Sequence, residues 1–188
     1  MQEKKFQLIT WDMPDKKTVN ISSEIYDSVD EIIGVGKGKK IVIAIGLNPS
    51  NKTVFNDDET NLYLRDKIKQ KFKETEGYIL TNLSCKIESD SKNISTKNIE
   101  KGHIENIIKL IDEFKDSSIV VFFGQKGKDF INGKNNEKNG LLGLKKKLKE
   151  KIDRVYYTKS IAKFIHPGHS GDSYELAELD ENTLETEG

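Results

Sequence analysis

Apolar runs that end abruptly in small and polar residues recur along the chain, and the clearest is Ile41-Val42-Ile43-Ala44-Ile45, closing on Gly46-Leu47-Asn48-Pro49-Ser50. A continuous β-branched run of this kind predicts a strand buried on both faces, delivering a polar loop to the carboxyl edge of a parallel sheet. Pro49 fixes its own φ and confines Asn48 to extended conformations, so the Asn48 amide is held in place. Gly46 lets the backbone approach closely whatever sits there. In an open α/β sheet ligands bind at such an edge. Taken alone, the stretch is also compatible with a plain turn at a strand end.

The same pattern repeats downstream. Residues 78–83 (Tyr-Ile-Leu-Thr-Asn-Leu) predict a strand that finishes near Asn82, and 118–124 (Ser-Ile-Val-Val-Phe-Phe-Gly) a buried strand that ends in Gly124. Residues 154–158 predict a fourth strand, followed at 164–172 by Phe-Ile-His-Pro-Gly-His-Ser-Gly-Asp, a loop with two imidazoles, His166 and His169. Between the strands the apolar spacing turns helical. Leu62, Leu64, Ile68 and Phe72 mark a helix that starts on Asp57, Asp58 and Glu59 and stops before Gly77. Ile104, Ile107, Ile108, Ile111 and Phe114 mark one over 98–115, and a strongly basic helix covers 144–152. Upstream, 6–11 and 18–21 predict an edge hairpin, and Ile25, Val29, Ile32 and Ile33 a short helix over 22–33. The four glycines among Asn and Lys in 127–143 predict a mobile insert. Alternating strands and helices argue for an α/β fold, a three-layer sandwich with a central mostly parallel sheet covered on both faces.

Gly34, Gly36 and Gly38 are followed by a strand rather than a helix, which removes a dinucleotide-binding reading. Composition adds a soluble class: 188 residues, 35% hydrophobic and 33% charged, suit one domain over 1–171 with no bilayer-spanning stretch. Cys85 is the single cysteine, which removes disulfides and cysteine-based metal sites and makes a reducing cytoplasm the expected compartment. Nothing around it suggests an activated thiol, so Cys85 is read as strand packing. The net charge of zero conceals an asymmetry. All 31 Lys and Arg precede residue 172, while seven of the 31 acids lie from Asp172 onwards, so 1–171 carries 31 − 24 = +7 and 172–188 carries −7. The acidic end reads as a disordered, solvated tail. A sharper alternative lays it over a basic groove, in competition with polyanions. The basic body fits nucleic acid or an acidic protein partner.

Four strands thus end, in order, in Gly46-Leu47-Asn48-Pro49-Ser50, Thr81-Asn82-Leu83, Phe122-Phe123-Gly124 and His166-Pro167-Gly168-His169-Ser170. This order resembles the uracil-DNA glycosylase superfamily. Within it the chain is similar to a bacterial and phage family of unknown function with a Leu-Asn-Pro-Ser motif, and to the pseudo-uracil-DNA glycosylases of mobile genetic elements. The resemblance spans roughly 41–172 and implies a uracil-DNA-glycosylase-like fold. It puts Asn48 in the water-positioning place, Asn82 in the base-reading place and His166 in the place that donates to the departing base, with Phe55 as a stacking aromatic. Gly46, Leu47, Pro49, Ser50, Gly124, Pro167, His169 and Ser170 would line the rest of the pocket.

The departures from that pattern are chemical. Breaking an N-glycosidic bond builds cationic character on the sugar and negative charge on the base, and the base must first be extruded. Many active relatives carry Asp in the first loop, where this chain has Asn48. A neutral amide orients water but does not stabilise a cationic sugar as a carboxylate does. Ser50 stands where uracil-specific members place a ring that excludes thymine. The His loop lacks the Leu that wedges into a duplex and offsets the cost of unstacking. Phe123 replaces the Trp of the nearer family. The resemblance therefore implies a pseudo-glycosylase, inactive or nearly so, that binds nucleic acid or a small acidic DNA-mimicking glycosylase inhibitor protein. The alternative is an active glycosylase for a modified or mismatched base, preferring single strands. A third reading gives Asp57, Asp58 and Thr60 a divalent metal for phosphoryl chemistry, although a helix start explains the same acids. His166 and His169 lack a third ligand, so no zinc and no cofactor is expected. His103 falls on a polar helix turn and suggests no chemistry.

Overall fold

The computed structural model describes residues 6–8, 17–19, 29–33, 40–49, 59–75, 77–86, 88, 90–134, 136–160, 163–164 and 174–185. Two strands near the start, β1 (Phe6–Leu8) and β2 (Lys17–Val19), pair antiparallel as the alternating pattern leads one to expect. The main sheet holds β3 (Val29–Ile33), β4 (Ile41–Gly46), β5 (Gly77–Asn82), β6 (Ser118–Val121), β7 (Val155–Ser160), β8 (Lys163–Phe164) and β9 (Glu175–Glu178). Its strands run in the order β3-β5-β4-β6-β7-β8, with β9 also on β7. The inner four, β5-β4-β6-β7, are parallel, and β3, β8 and β9 are antiparallel additions at the margins.

Strand alternation divides the core in two. On one face Ile41, Ile43 and Ile45 join Ile79, Ile119, Val121 and Val155. They pack against α2 (Lys101–Glu113), α3 (Gly124–Asn132) and α4 (Leu141–Glu150) through Ile104, Ile107, Leu110, Ile111, Ile131, Leu141, Leu144 and Leu148. On the other face Val42, Ala44, Tyr78, Leu80, Val120 and Phe122 meet Leu64 and Ile68 of α1 (Glu59–Lys71). A period of two in the strands thus meets a period of 3.6 in the helices on both sides of one sheet. The molecule is an α/β protein with helices on both faces of a mostly parallel sheet. Among the described residues no helix is long and apolar enough to cross a membrane.

Four expectations need correction. Val29–Ile33 is a strand rather than the end of a helix, and pairs with β5 from Ile33↔Tyr78 to Val29↔Thr81. A short β-branched run satisfies either period, and the open edge of β5 decides for a strand. Residues 22–28, the rest of that expected helix, lie outside the described residues. The 127–143 stretch is mostly ordered as α3 and the start of α4. Ile131 and Leu141 are fully buried, Asn136 Nδ2 donates to the Ile131 carbonyl at 2.9 Å, and Asn139 Nδ2 to the Thr96 carbonyl at 2.8 Å. Cys85 is exposed, just past the end of β5, and does not pack in the sheet.

The fourth correction concerns the acidic end. Residues 174–185 form β9 and α5 (Glu181–Leu184) and belong to the sheet and core, so a disordered tail beginning at 172 does not describe them. β9 pairs with β7 from Lys159↔Glu175 to Tyr156↔Glu178. Leu176, Leu179 and Leu184 are buried, Asp180 caps α5 by accepting the Thr183 N–H, and Asn132 Nδ2 holds the Leu184 carbonyl at 2.8 Å. Composition suggested solvation, but the apolar residues set between the acids reach the core.

Glu185 completes this docking. Its carboxylate accepts from Lys145 Nζ at 2.7 Å and from Lys149 Nζ, and these two contacts hold its pKa well below the usual carboxylate range, at about 2. A depressed folded-state pKa stabilises the fold above the unfolded value and loses that effect as pH falls through the folded one. Wild type is therefore expected to melt above Glu185→Gln at neutral pH, with the gap closing between the ordinary value of 4.5 and about 2. Thermal melts across that range check this. The gap should also shrink with added salt, because the Glu185 side chain is 44% exposed.

Candidate functional site

The chain changes direction in the sheet between β4 and β6. The connection after β4 leaves through α1 on one face, whereas the connection after β6 leaves through α3 and α4 on the other. This is a topological switch point, the place beside which ligands bind in open α/β sheets. Gly46-Leu47-Asn48-Pro49 lies on one side of it and Phe122-Phe123-Gly124 on the other, with the end of β5 adjacent.

Backbone pairing continues past the formal strand ends. Leu83 N–H donates to the Gly46 carbonyl and Ser84 N–H to the Leu47 carbonyl, both at 2.9 Å, and Phe122 N–H donates to the Ile45 carbonyl at 2.9 Å. Glu88 N–H reaches the Pro49 carbonyl at 3.2 Å. The Asn48 loop is thus stitched to the segment after β5, which Ser84 Oγ ties down in turn by donating to the Asn98 carbonyl at 2.9 Å.

Asn48 is half-buried and its amide is oriented by two contacts. Nδ2 donates to the Glu88 carbonyl at 2.6 Å and to the Pro49 carbonyl at 3.0 Å. Carbonyls only accept, so the amide nitrogen must face them, and both of its protons are engaged. What Asn48 can offer a ligand is Oδ1, an uncharged acceptor. Glu88 touches Asn48 through its main chain, but its carboxylate is turned to its own loop. Oε1 accepts the Asp90 N–H at 3.3 Å and Oε2 lies 3.4 Å from Lys86 Nζ. The Asp90 N–H and the Asn93 side chain hold that carboxyl below its ordinary pKa, so it stays ionised there.

Asn82 pairs in register with Gly46 and is 4% exposed. Both residues fall on the α1 face of the sheet, as does Phe122. A methyl group added at Gly46 would come within 2.2 Å of Asn82 Oδ1 and 2.6 Å of Phe122 Cζ, far inside contact distance. The amide of Asn82 and the ring of Phe122 therefore rest directly on the bare Gly46 backbone. The glycine is there for that close approach. Gly124 opens α3 with φ +64°, a left-handed conformation that glycine adopts without strain, and so turns the chain sharply out of β6.

Among the residues singled out from sequence, Gly46, Asn48, Pro49 and Asn82 come together at the ends of adjacent parallel strands, and Gly124 stands across the switch point. Leu47 is different: its side chain is 2% exposed and belongs to the α2-side core, so only its backbone faces the loop. Ser50, Phe55, His166, Pro167, His169 and Ser170 lie outside the described residues, as do Asp57 and Asp58. The described residues flanking the His loop, Phe164 and Glu175, both pair with Lys159 near the carboxyl end of β7.

Two residues gain a place that the sequence did not suggest. Phe122 is 3% exposed and supplies an apolar ring beside the Asn82 amide. His103, in the first turn of α2, is 8% exposed, and its Nε2 sits 2.5 Å from the Asn82 carbonyl. Its polar neighbours, Gly102 and Glu105, gave no hint of that burial. A helical wheel with Ile107, Leu110 and Ile111 places it on the same buried side.

No curated protein and no solved structure matches the chain. A family model does match over residues 34–168, which takes in β4 through β8 and extends to Gly168. On that match the chain belongs to the family described as Protein of unknown function (DUF1643).

Proposed function

We propose that this protein is a base-binding module of the uracil-DNA-glycosylase type, with little or no power to excise the base it holds. Its ligand in this reading is nucleic acid, or a small acidic inhibitor protein that mimics it. The observation that carries the reading is the pairing of two amides at one sheet edge. Asn82 lies against the bare Gly46 backbone beside the Phe122 ring, and Asn48 on the neighbouring strand end presents an acceptor of fixed orientation. An apolar ring beside directed amide groups suits the flat face and polar edge of a nucleobase.

The same geometry argues against efficient bond breaking. Asn48 Oδ1 can hold a water, yet it carries no charge to stabilise a cationic sugar, and the Glu88 carboxylate is committed to Asp90 and Lys86. In this reading His166 donates to the base oxygen, Phe55 stacks on the ring, and Ser50, Pro167, His169 and Ser170 close the pocket.

A single-turnover excision assay tests whether the bound base is ever released. Substrates carry uracil in single and double strands, a thymine mismatch, or a modified base, and binding is measured in parallel by anisotropy. Binding without release of free base is the expected result. Brisk release of uracil would overturn inactivity while keeping the pocket. Release confined to a modified or mismatched base in single strands would replace the proposal with a working glycosylase.

A further inference from the structure

We propose that Glu88 is a positioning residue: its carboxylate anchors the connection after β5, and through that anchored main chain it fixes which end of the Asn48 amide a ligand meets. This rests on the base-pocket reading above, which treats the Glu88 carboxylate only as a group that takes no part in bond breaking. The connection from β5 to α2 crosses the carboxyl end of β4. It is paired to Gly46 and Leu47 through Leu83 and Ser84, and then meets the Asn48 loop at Glu88. Farther on, the Lys92 carbonyl accepts from Lys126 Nζ in the first turn of α3 at 3.0 Å. The two sides of the switch point are thereby joined.

Glu88 clasps the loop twice with its main chain. Its N–H donates to the Pro49 carbonyl at 3.2 Å, and its carbonyl accepts from Asn48 Nδ2 at 2.6 Å. The side chain, 21% exposed, works in the other direction. Oε1 accepts the Asp90 N–H at 3.3 Å, and the Asn93 side chain also reaches this carboxylate. Asp90 continues the chain of bonds: its Oδ1 accepts the Lys92 N–H at 2.9 Å and its carbonyl the Asn93 N–H at 3.0 Å. The carbonyl that orients Asn48 is thus tied, through one carboxylate, to a turn that α3 holds at its far end. Nothing within asparagine itself selects the pose, because its χ2 is a broad, roughly two-fold torsion. The Glu88 and Pro49 carbonyls select it by facing Nδ2, and Oδ1 is left for the ligand. The ligand atom at Asn48 is then a donor, a ring N–H or a water. Without the carboxylate, the Glu88 carbonyl loses its alignment, and the amide can turn Nδ2 outward instead.

The test follows wild type, Glu88→Ala and Glu88→Gln by two readouts. The first is hydrogen exchange at the Asn48 side-chain NH₂, with Asn82 as internal reference. The second is the ratio of affinities for a short single strand with one central deoxyuridine and the same strand with an abasic analogue, in which the folded fraction cancels. Glu88→Ala is expected to speed Asn48 exchange about tenfold, leave Asn82 unchanged and lower the ratio by about tenfold. Glu88→Gln keeps an oxygen that can accept the Asp90 N–H, so both readouts should return to within about threefold of wild type. Either readout left intact by Glu88→Ala, or not restored by Glu88→Gln, overturns the positioning role while sparing the pocket. So does faster exchange at Asn48 and Asn82 alike, which marks a general loosening. A wild-type protein that binds both strands alike overturns the pocket and this inference together.

Discussion

A chain ending at residue 173 is expected to lose cooperative folding. The segment after it adds β9 to the margin of β7, and Leu179 N–H continues the pairing to the Val155 carbonyl at 2.8 Å. It buries Tyr174, Leu176, Leu179 and Leu184, each below 8% exposure. At about 1.5–3 kcal/mol for each large apolar side chain, their loss removes on the order of 6–12 kcal/mol, an upper estimate because unfolded chains already bury some surface. Domains of this size have only about 5–15 kcal/mol of net stability. The cut also leaves the Asn132 amide without its Leu184 partner and Lys145 and Lys149 without Glu185. Urea titration followed by circular dichroism checks this: a broad or absent transition is expected for the shortened chain. A midpoint equal to that of the full chain would mean that β9 and α5 are not part of the fold.

Gly46→Ala should damage the site more than its size suggests. The new methyl would meet Asn82 Oδ1 at 2.2 Å and Phe122 Cζ and Cε2 at 2.6 and 2.8 Å, and both neighbours are buried. Neither can move freely. Overpacking of this kind costs about 1–3 kcal/mol. The functional effect is the larger one, because the amide that moves is the proposed base reader, and preference for a uracil strand over an abasic one should vanish. Leu47→Ala makes the control. It empties a core position at about 2–5 kcal/mol, but its side chain packs on the α2 face away from Asn82, so the preference should survive in the folded protein. Loss of preference in Leu47→Ala and not in Gly46→Ala would reverse the assignment of the two residues.

The architecture was legible wherever one apolar period dominated. The buried runs at 41–45 and 118–121 could only be central strands, and the i, i+3, i+4 spacing from Ile104 to Ile111 could only be a helix against them. Legibility failed where composition and pattern disagreed. Between Asn132 and Leu141 polar and glycine residues dominate, yet Asn136 and Asn139 use their amides to cap neighbouring carbonyls. At the acidic end, leucines at 176, 179 and 184 outweigh the surrounding carboxylates, and Glu185 finds two lysines on α4.

For the candidate site, the meeting of Gly46, Asn48, Pro49 and Asn82 at adjacent strand ends was legible because each stands where an apolar run closes on small or polar residues. His103 was not. Its buried contact is with the Asn82 carbonyl, 21 residues earlier, and no local pattern reports that. Phe122 was hidden for a related reason: an aromatic in an apolar run looks like core until the bare glycine beside it is known.

The most direct measurement is the amide side-chain spectrum of isotopically labelled protein titrated with free uracil. Side-chain NH₂ signals of Asn48 and Asn82 are expected to shift together, saturating at one concentration, with the Gly46 backbone signal moving alongside. Shifts confined to other residues, or none at saturating uracil, would contradict a base pocket at the β4–β5 edge.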